Sequence, residues 1–318
     1  MQIYLSQSFD PFYNLAVENW LLREVLNDKP ILYLWQNNPS VIIGRAQNPW
    51  RECNLIAMHQ DGIPMVRRQS GGGTVYHDKG NLNYTLFSKS SEFDKKKNLT
   101  LIIETLKTAG IHSFASERND ILITHQGNDY KISGSAFRQT KDHCFHHGTL
   151  LINANTKKLY DYLHHDIDPG LSSKGVASHR SNVINLSDIY PDITIDSIKT
   201  AFLNRFRHDI AYLPHDLNCP LIQQEMETLK TWSWRFGKTL PFYQRFDDDN
   251  TPLILHISEG RVIDIETSLS IPALKEWIFD HTPIYCRRSF ADIHDHFSQL
   301  ERRIIVYLNK QITDVLSL

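Results

Sequence analysis

Arg67-Arg68-Gln69-Ser70-Gly71-Gly72-Gly73-Thr74-Val75-Tyr76-His77-Asp78, followed by Gly80-Asn81-Leu82-Asn83, is the most telling stretch of the chain. Three consecutive glycines destabilise any helix or strand that holds them. They suit a place where backbone approaches a ligand closely, or where several N–H groups point at one anion. Arg67 and Arg68, just before the loop, suit an anionic ligand. The plainer reading is a tight turn between two strands, Pro64-Met65-Val66 and Asn83-Tyr84-Thr85-Leu86-Phe87. No Gly-Lys-Ser/Thr closes a P-loop and there is no Gly-x-Gly-x-x-Gly fingerprint, so a nucleotide bound here belongs to another class of site.

The second informative stretch is Lys131-Ile132-Ser133-Gly134-Ser135-Ala136, with His146-His147-Gly148-Thr149-Leu150 after it. Residues 130–137 read as one strand, paired back through Gly127-Asn128-Asp129 to Ile121-Leu122-Ile123. Small residues around Lys131 leave room for a ligand. A lysine on a strand is ordinarily a solvated edge charge. Its company sets this one apart. A glycine loop, fixed positive charge and an isolated lysine are the equipment for holding a phosphate beside a carboxylate.

These motifs resemble the signature of the lipoate–protein ligase A family, in its long, bacterial-type form. Asp10-Pro11-Phe12-Tyr13-Asn14-Leu15-Ala16-Val17-Glu18, Gly44-Arg45-Ala46-Gln47-Asn48-Pro49-Trp50 and Glu117-Arg118-Asn119-Asp120 are family-like and in family order. So are Ser173-Lys174-Gly175-Val176-Ala177-Ser178-His179-Arg180-Ser181 and Trp232-Ser233-Trp234-Arg235-Phe236-Gly237-Lys238. The departures are Thr74 where alanine is common, Tyr76 where phenylalanine is common, and Gln69 where a serine occurs. The resemblance implies an α+β, biotin/lipoate ligase-like mixed-sheet catalytic domain over residues 1–246. It implies a small α+β C-terminal accessory domain over 247–318.

It also implies a two-step reaction. Lipoate and ATP give lipoyl-AMP and pyrophosphate, and the lipoyl group then passes to a lysine of an acceptor lipoyl domain. The chemical logic is general. A carboxylate oxygen is a poor leaving group, and joining it to AMP supplies an activated acyl donor. Two anions meet in the first step, so the site must cancel their repulsion. By resemblance, Arg68, Gly73, Thr74, Val75, Tyr76 and Lys131 hold ATP or the adenylate. Asn83, Asp120 and Arg180 are further candidates, with Mg²⁺ on the phosphates and Asp120 near it. Lys131 is the catalytic residue, bridging the lipoyl carbonyl and the phosphate as a compact charge with three donors. The lipoate side is expected from Trp35, Ser70, Gly71, Gly72, Lys131 and His147, with Val75 at the wall. The implied partners are apo lipoyl domains of 2-oxoacid dehydrogenase complexes and the glycine cleavage H protein.

Bulk properties agree. At 318 residues, 41% hydrophobic and 22% charged, the chain reads as one large domain plus a small one. A formal net charge of −2 gives no general basic surface, which disfavours nucleic acid. No apolar run approaches the roughly 20 residues of a membrane span, and Met1-Gln2-Ile3-Tyr4-Leu5 has no signal layout. The expected location is cytoplasmic, with a processed mitochondrial form as the eukaryotic alternative. Four spread cysteines, 53, 144, 219 and 286, form no Cys-x-x-Cys. Histidines cluster at 143, 146 and 147, and at 164 and 165 beside Asp166, without a zincin pattern.

Asp10-Pro11 reads as an N-cap and N1 proline opening a helix to about Leu26. Asn98 is the expected cap of a helix carrying Leu99, Ile102, Ile103 and Leu106, stopped by Gly110. Residues 166–187 read as a mobile loop whose Lys174 and Arg180 reach phosphate. Asp247-Asp248-Asp249-Asn250 reads as a hinge or turn, followed by a hairpin through Ser258-Glu259-Gly260-Arg261 and helices from about 271 and 290. Three rivals share the fold: a lipoyl or octanoyl transferase, for which Cys144 is the candidate thiolate though not placed where those relatives carry theirs; a biotin ligase, whose Gly-Arg-Gly-rich loop is absent; and a non-catalytic lipoyl-domain binder.

Overall fold

The first helix opens where Asp10-Pro11 places it. The Asp10 carboxylate accepts from the amides of Phe12 and Tyr13, and Pro11 fills a position that needs no N–H. The α-helix Pro11–Trp20 continues as a π-helical turn, Leu21–Val25. A computed structural model describes residues 1–26, 29–163, 168–206, 210–214, 217–248, 251–291, 296–312 and 314. The expected His164, His165, Asp166 cluster, and Asp249 and Asn250, lie outside the described residues. The described residues fall into two units. One comprises Met1–Arg45, Val66–Leu159 and Ser178–Lys230; the other comprises Ala46–Met65, Tyr160–Ala177 and Thr231–Leu318.

A six-stranded mixed sheet organises the first unit. Its order is Ser135–Gln139, His143–Leu151, Asn81–Lys89, Ile31–Trp35, Gln2–Ser6 and Ile210–Leu213. The first three pairings are antiparallel and the last two parallel. Alternation along Asn81–Lys89 sends Leu82, Tyr84 and Leu86 into a hydrophobic core with Leu99, Ile102 and Leu106 of the helix Lys95–Thr108 and Ile198 and Phe202 of the helix Ile195–Arg205. The opposite face carries Asn81, Asn83 and Thr85. Register places Asn83 between Trp35 and Thr149, and Thr85 between Tyr33 and His147. This polar face becomes the floor of the site.

Two glycines of the motifs have steric reasons. A Cβ at Gly80 would overlap the carbonyl of Asn153, and one at Gly148 the Tyr84 phenol. Asp78 fixes the turn before the long strand, accepting from the Gly80 amide and from the Asn155 amide, both at 2.8 Å. The expected strand 130–137 is instead two strands in two sheets. Asn128–Ser133 pairs with Ile121–His125 in a three-stranded sheet, and Ser135–Gln139 joins the six-stranded one. Gly134 makes the switch, exchanging hydrogen bonds with Thr149. The cap of the 95–108 helix is Asp94, not Asn98, because Asp94 Oδ1 accepts from the Lys97 amide and the helix starts a turn earlier.

The second unit holds an antiparallel sheet of Leu171–Ser173, Phe242–Asp248, Thr251–Ser258 and Arg261–Glu266. The hairpin through Glu259 and Gly260 is as expected, both with positive φ as a tight two-residue turn demands. The expected boundary at 246/247 falls inside the strand Phe242–Asp248, with Asp247 paired to Pro252 and Asp248 to Thr251. The helix Pro272–His281 begins as expected. The one expected from about 290 starts at Gln299, where Ser298 and Glu301 form a capping box; Arg287–Phe290 is only a 3₁₀ turn. Trp50 packs against Phe236, Phe242 and Tyr285, at 5.5, 5.2 and 5.4 Å between ring centres. The tryptophan motifs near 50 and 232 therefore build this unit's core.

Candidate active site

Arg68 is the centre of the glycine loop, and its guanidinium faces the loop itself. Nη2 donates to the carbonyls of Gly71 at 2.6 Å and Gly73 at 2.7 Å, Nε to Ser70 Oγ at 2.9 Å, and Nη1 to the Ile42 carbonyl at 3.1 Å. Folding these carbonyls inward onto one cation fixes the curve of residues 70–73. Gly72 takes φ +83°, and a Cβ there would press on Arg68 Nη2 and Ala136 Cβ. Burial draws the Arg68 pKa down to about 10, with Glu18 opposing, so the group stays charged at neutral pH. Arg67 is fully buried and donates to the carbonyls of Gly44 and Arg45.

From the loop a buried polar chain crosses the floor of the sheet. Ser70 Oγ lies 2.9 Å from His147 Nε2, and His147 Nδ1 lies 2.8 Å from Glu18 Oε1. Glu18 also accepts from Thr85 Oγ1 at 2.7 Å, and Thr85 from Trp35 Nε1 at 3.0 Å. Each donor is used once if the His147 ring carries its proton on Nδ1 and Nε2 accepts from the Ser70 hydroxyl. Ser70, Trp35 and His147, all expected on the lipoate side, are thus members of one network. Glu18 and Thr85 complete it and escaped the sequence reading. Their signal was a carboxylate lying at helical spacing between Leu15 and Leu22, inside the buried stripe of the first helix.

His77 stands beside Trp35, with ring centres 5.9 Å apart, and its Nδ1 accepts from Asn37 Nδ2 at 3.1 Å. Burial first, then the charges of Arg68 and His147, push its pKa down to about 3, so it is neutral. Its Nε2, Asn81 Oδ1 and Asn83 Nδ2 are buried polar atoms without a partner among the described residues. The apolar wall expected of Val75 is a half-buried strand residue on Val75–His77, paired with Ser40–Ile43. Tyr76 is buried in the same strand.

Lys131 and Asp120 meet as the hairpin requires. Lys131 Nζ and Asp120 Oδ1 are 2.9 Å apart, and about a fifth of each side chain is exposed (23% and 20%). The lysine stem crosses Gly134, where a Cβ would come within 2.9 Å of Cε. Its backbone is fixed too, donating to the Asn182 carbonyl at 2.8 Å and accepting from the Ile184 amide at 3.3 Å. The Thr74 amide donates to Ser178 Oγ at 2.9 Å. The stretch expected as a mobile loop is thus tied at Ser178 to the glycine loop and at 182–184 to Lys131. Arg180 is exposed between these ties.

Residues 10–207 match the model of the lipoyl protein ligase A/B catalytic domain. The chain belongs to the lipoate–protein ligase family. Family members are enzymes, and the mixed-sheet α+β architecture above is theirs. A Plasmodium falciparum LipL1 structure in complex with lipoate is 30% identical, covers 97% of this chain and 99% of its own, and superposes with a TM-score of 0.63. A bi-partite lipoate protein ligase from Thermoplasma acidophilum, solved with its E2 lipoyl domain, is 24% identical over 74% of this chain and 96% of its own, at TM-score 0.60. A lipoate–protein ligase A bound with ATP is 24% identical over 75% of this chain and 100% of its own, at TM-score 0.57.

Cys144 does not resemble a nucleophile in this ligase. It is fully buried within the strand His143–Leu151, with Sγ against the Ser88 hydroxyl at 3.2 Å and the carbonyls of Ser88 and Lys89. Burial raises its pKa, which keeps the thiol protonated. Alternation puts it on the opposite sheet face from His147. Cys144→Ser is expected to retain at least half of the wild-type lipoylation rate, measured by gel shift of the acceptor. Capture of a lipoyl thioester on Cys144 would contradict this. No group of three or more His, Cys, Asp or Glu capable of holding a metal occurs among the described residues, nor is any described helix long and apolar enough to cross a membrane.

Proposed function

We propose that this protein is an ATP-dependent lipoate–protein ligase that forms lipoyl-AMP and transfers the lipoyl group to a lysine of an acceptor lipoyl domain. The observation that carries the reading is the Lys131–Asp120 pair, supported beside an arginine-ordered glycine loop. A partly exposed ammonium held by one carboxylate is positioned yet exchangeable. On arrival of the two anions Lys131 trades Asp120 for the lipoyl carbonyl and the α-phosphate, where its charge offsets the repulsion between them. In the second step the acceptor amine attacks the mixed anhydride and AMP leaves, so no protein nucleophile is required.

Lipoate is assigned to the floor of Trp35, Ser70, Gly71, Gly72 and His147, and the adenylate to Gly73, Thr74, Val75, Tyr76, Asn83, Asp120, Lys131 and Arg180. Arg68 contributes by shaping the loop. Mg²⁺ commonly takes one or two carboxylates plus substrate phosphates, and Asp120 is the carboxylate that fits that role here. When bound, the ion would neutralise phosphate charge. The acceptors we assign are apo lipoyl domains of 2-oxoacid dehydrogenases and the glycine cleavage H protein. The lipoate, ATP and E2 lipoyl domain found with the structural relatives are consistent with this assignment. The test is one incubation with ATP, Mg²⁺, lipoate and an apo lipoyl domain, read by intact mass. A single lipoyl amide that requires ATP is expected; an unchanged acceptor mass would sink the reading.

A further inference from the structure

The outer edge of the six-stranded sheet carries a charged feature that the activation chemistry leaves unused. Ser135–Gln139 ends the strand order, and among the described residues no strand pairs with its outer side. An unpaired edge is a template for a strand from another chain. This one begins directly after Gly134, where the Lys131 strand stops. Ser135 Oγ donates to the Asn119 carbonyl at 2.9 Å, next to Asp120, so the edge starts at the corner that holds the lysine.

Cations flank both faces of the edge. On one face Arg138 donates to Asn19 Oδ1 at 3.3 Å. Its pKa lies below the usual arginine range, through burial first and then the neighbouring charges of Arg23 and Arg45, against the pull of Glu225 and Glu18. Arg23 and Arg45 are exposed. Glu225 is the acid in their midst, shared between Arg23 at 3.3 Å and the Asn19 amide at 2.8 Å. On the other face Phe137 is exposed, with Phe93 at 5.4 Å and the Lys95 ammonium 4.5 Å from its ring centre. Lys96 and Lys97 follow Lys95 in the first turn of their helix. The cations Arg23, Arg45, Arg138, Lys95, Lys96 and Lys97 outnumber the neighbouring acids Glu24, Glu92, Asp94 and Glu225, so a modest positive excess is gathered here on a chain of formal charge −2. It favours an acidic partner and disfavours others.

We propose that this edge docks the acceptor domain, and that the acceptor presents an acidic strand beside its target lysine. The proposal rests on the ligase reading for the identity of the partner. Position decides the occupant: a strand added here runs alongside the segment that leads to Lys131, where the target amine must arrive. Charge agrees, since a cationic target lysine approaches a cationic rim only in the company of acids.

The test measures binding without catalysis. A fluorescein-labelled apo E2 lipoyl domain is titrated with the full chain, in the absence of ATP and lipoate, at low and high salt. The double variant Arg23→Glu/Lys95→Glu is expected to bind at least tenfold more weakly at low salt. Wild-type affinity should fall steeply with salt and the variant's should not. Lipoate-dependent pyrophosphate exchange should be equal in the two proteins, which shows that the variant is folded and the site intact. Equal affinities, or a wild-type affinity indifferent to salt, would overturn the proposal. A wild type that binds the domain through this edge yet lacks exchange would refute the ligase reading and leave the docking surface standing.

Discussion

Lys131→Ala is expected to lower lipoate-dependent exchange of pyrophosphate into ATP by about 10²–10³-fold, the usual worth of one charge aimed at a transition state. The fold should survive it. Asp120 loses its partner, but its side chain is 20% exposed and water can solvate it. An ion pair of this exposure contributes at most about 1 kcal/mol. The backbone bonds from residue 131 to Asn182 and Ile184 do not involve the side chain and remain. Gly134→Ala is the companion measurement. It keeps the charge but places a methyl 2.9 Å from Lys131 Cε and 3.0 Å from Nζ, so the ammonium must move. If position as well as charge matters, this variant also loses most of its exchange activity. Near wild-type exchange in Lys131→Ala would remove the lysine from the mechanism, whatever Gly134→Ala does.

What the sequence disclosed, and what it hid, follow from the range of each interaction. The hairpin that presents Lys131, the glycine loop, the Asp10 cap and the hairpin at Glu259-Gly260 are decided within a few residues. Local pattern reads them well. The failures concern partners distant along the chain. Residues 130–137 alternate like one strand, but Gly134 divides them between two sheets because Thr149 bonds to it from another strand. Asn98 and Asp94 are both competent caps, and the helix begins at the one whose carboxylate reaches an amide, Asp94 to Lys97. Glu18 is invisible as a site residue until the fold brings it to His147 and Thr85. The segment at 178–184 is polar enough to read as loose, yet Ser178 and Asn182 find their partners more than one domain element away. Asp247 and Asp248, read as part of a hinge or turn, end a strand that pairs with Pro252 and Thr251.

Arg68→Lys is expected to be nearly as damaging as Arg68→Ala, which decides what the arginine does. If Arg68 acted as a charge toward an anionic ligand, lysine would preserve much of the exchange, and alanine would cost activity with little loss of stability. The hydrogen bonds of the Arg68 guanidinium favour a scaffolding role. Four of its N–H contacts are fixed by a planar fork on Ser70 Oγ and the carbonyls of Ile42, Gly71 and Gly73. A lysine ammonium at the end of a shorter stem cannot reach all four in those directions. Buried acceptors left without donors cost about 1–3 kcal/mol each. Both variants should therefore unfold at lower denaturant concentration, by the equivalent of about 3–5 kcal/mol, the cost of breaking a buried charged network. The glycine loop should lose its curve in both, so exchange fails in both, and the Michaelis constants for lipoate and ATP rise together because Ser70 and Gly73 belong to the same scaffold. Unfolding of Arg68→Lys at the wild-type denaturant midpoint, with exchange retained, would return Arg68 to the role of a simple phosphate cation.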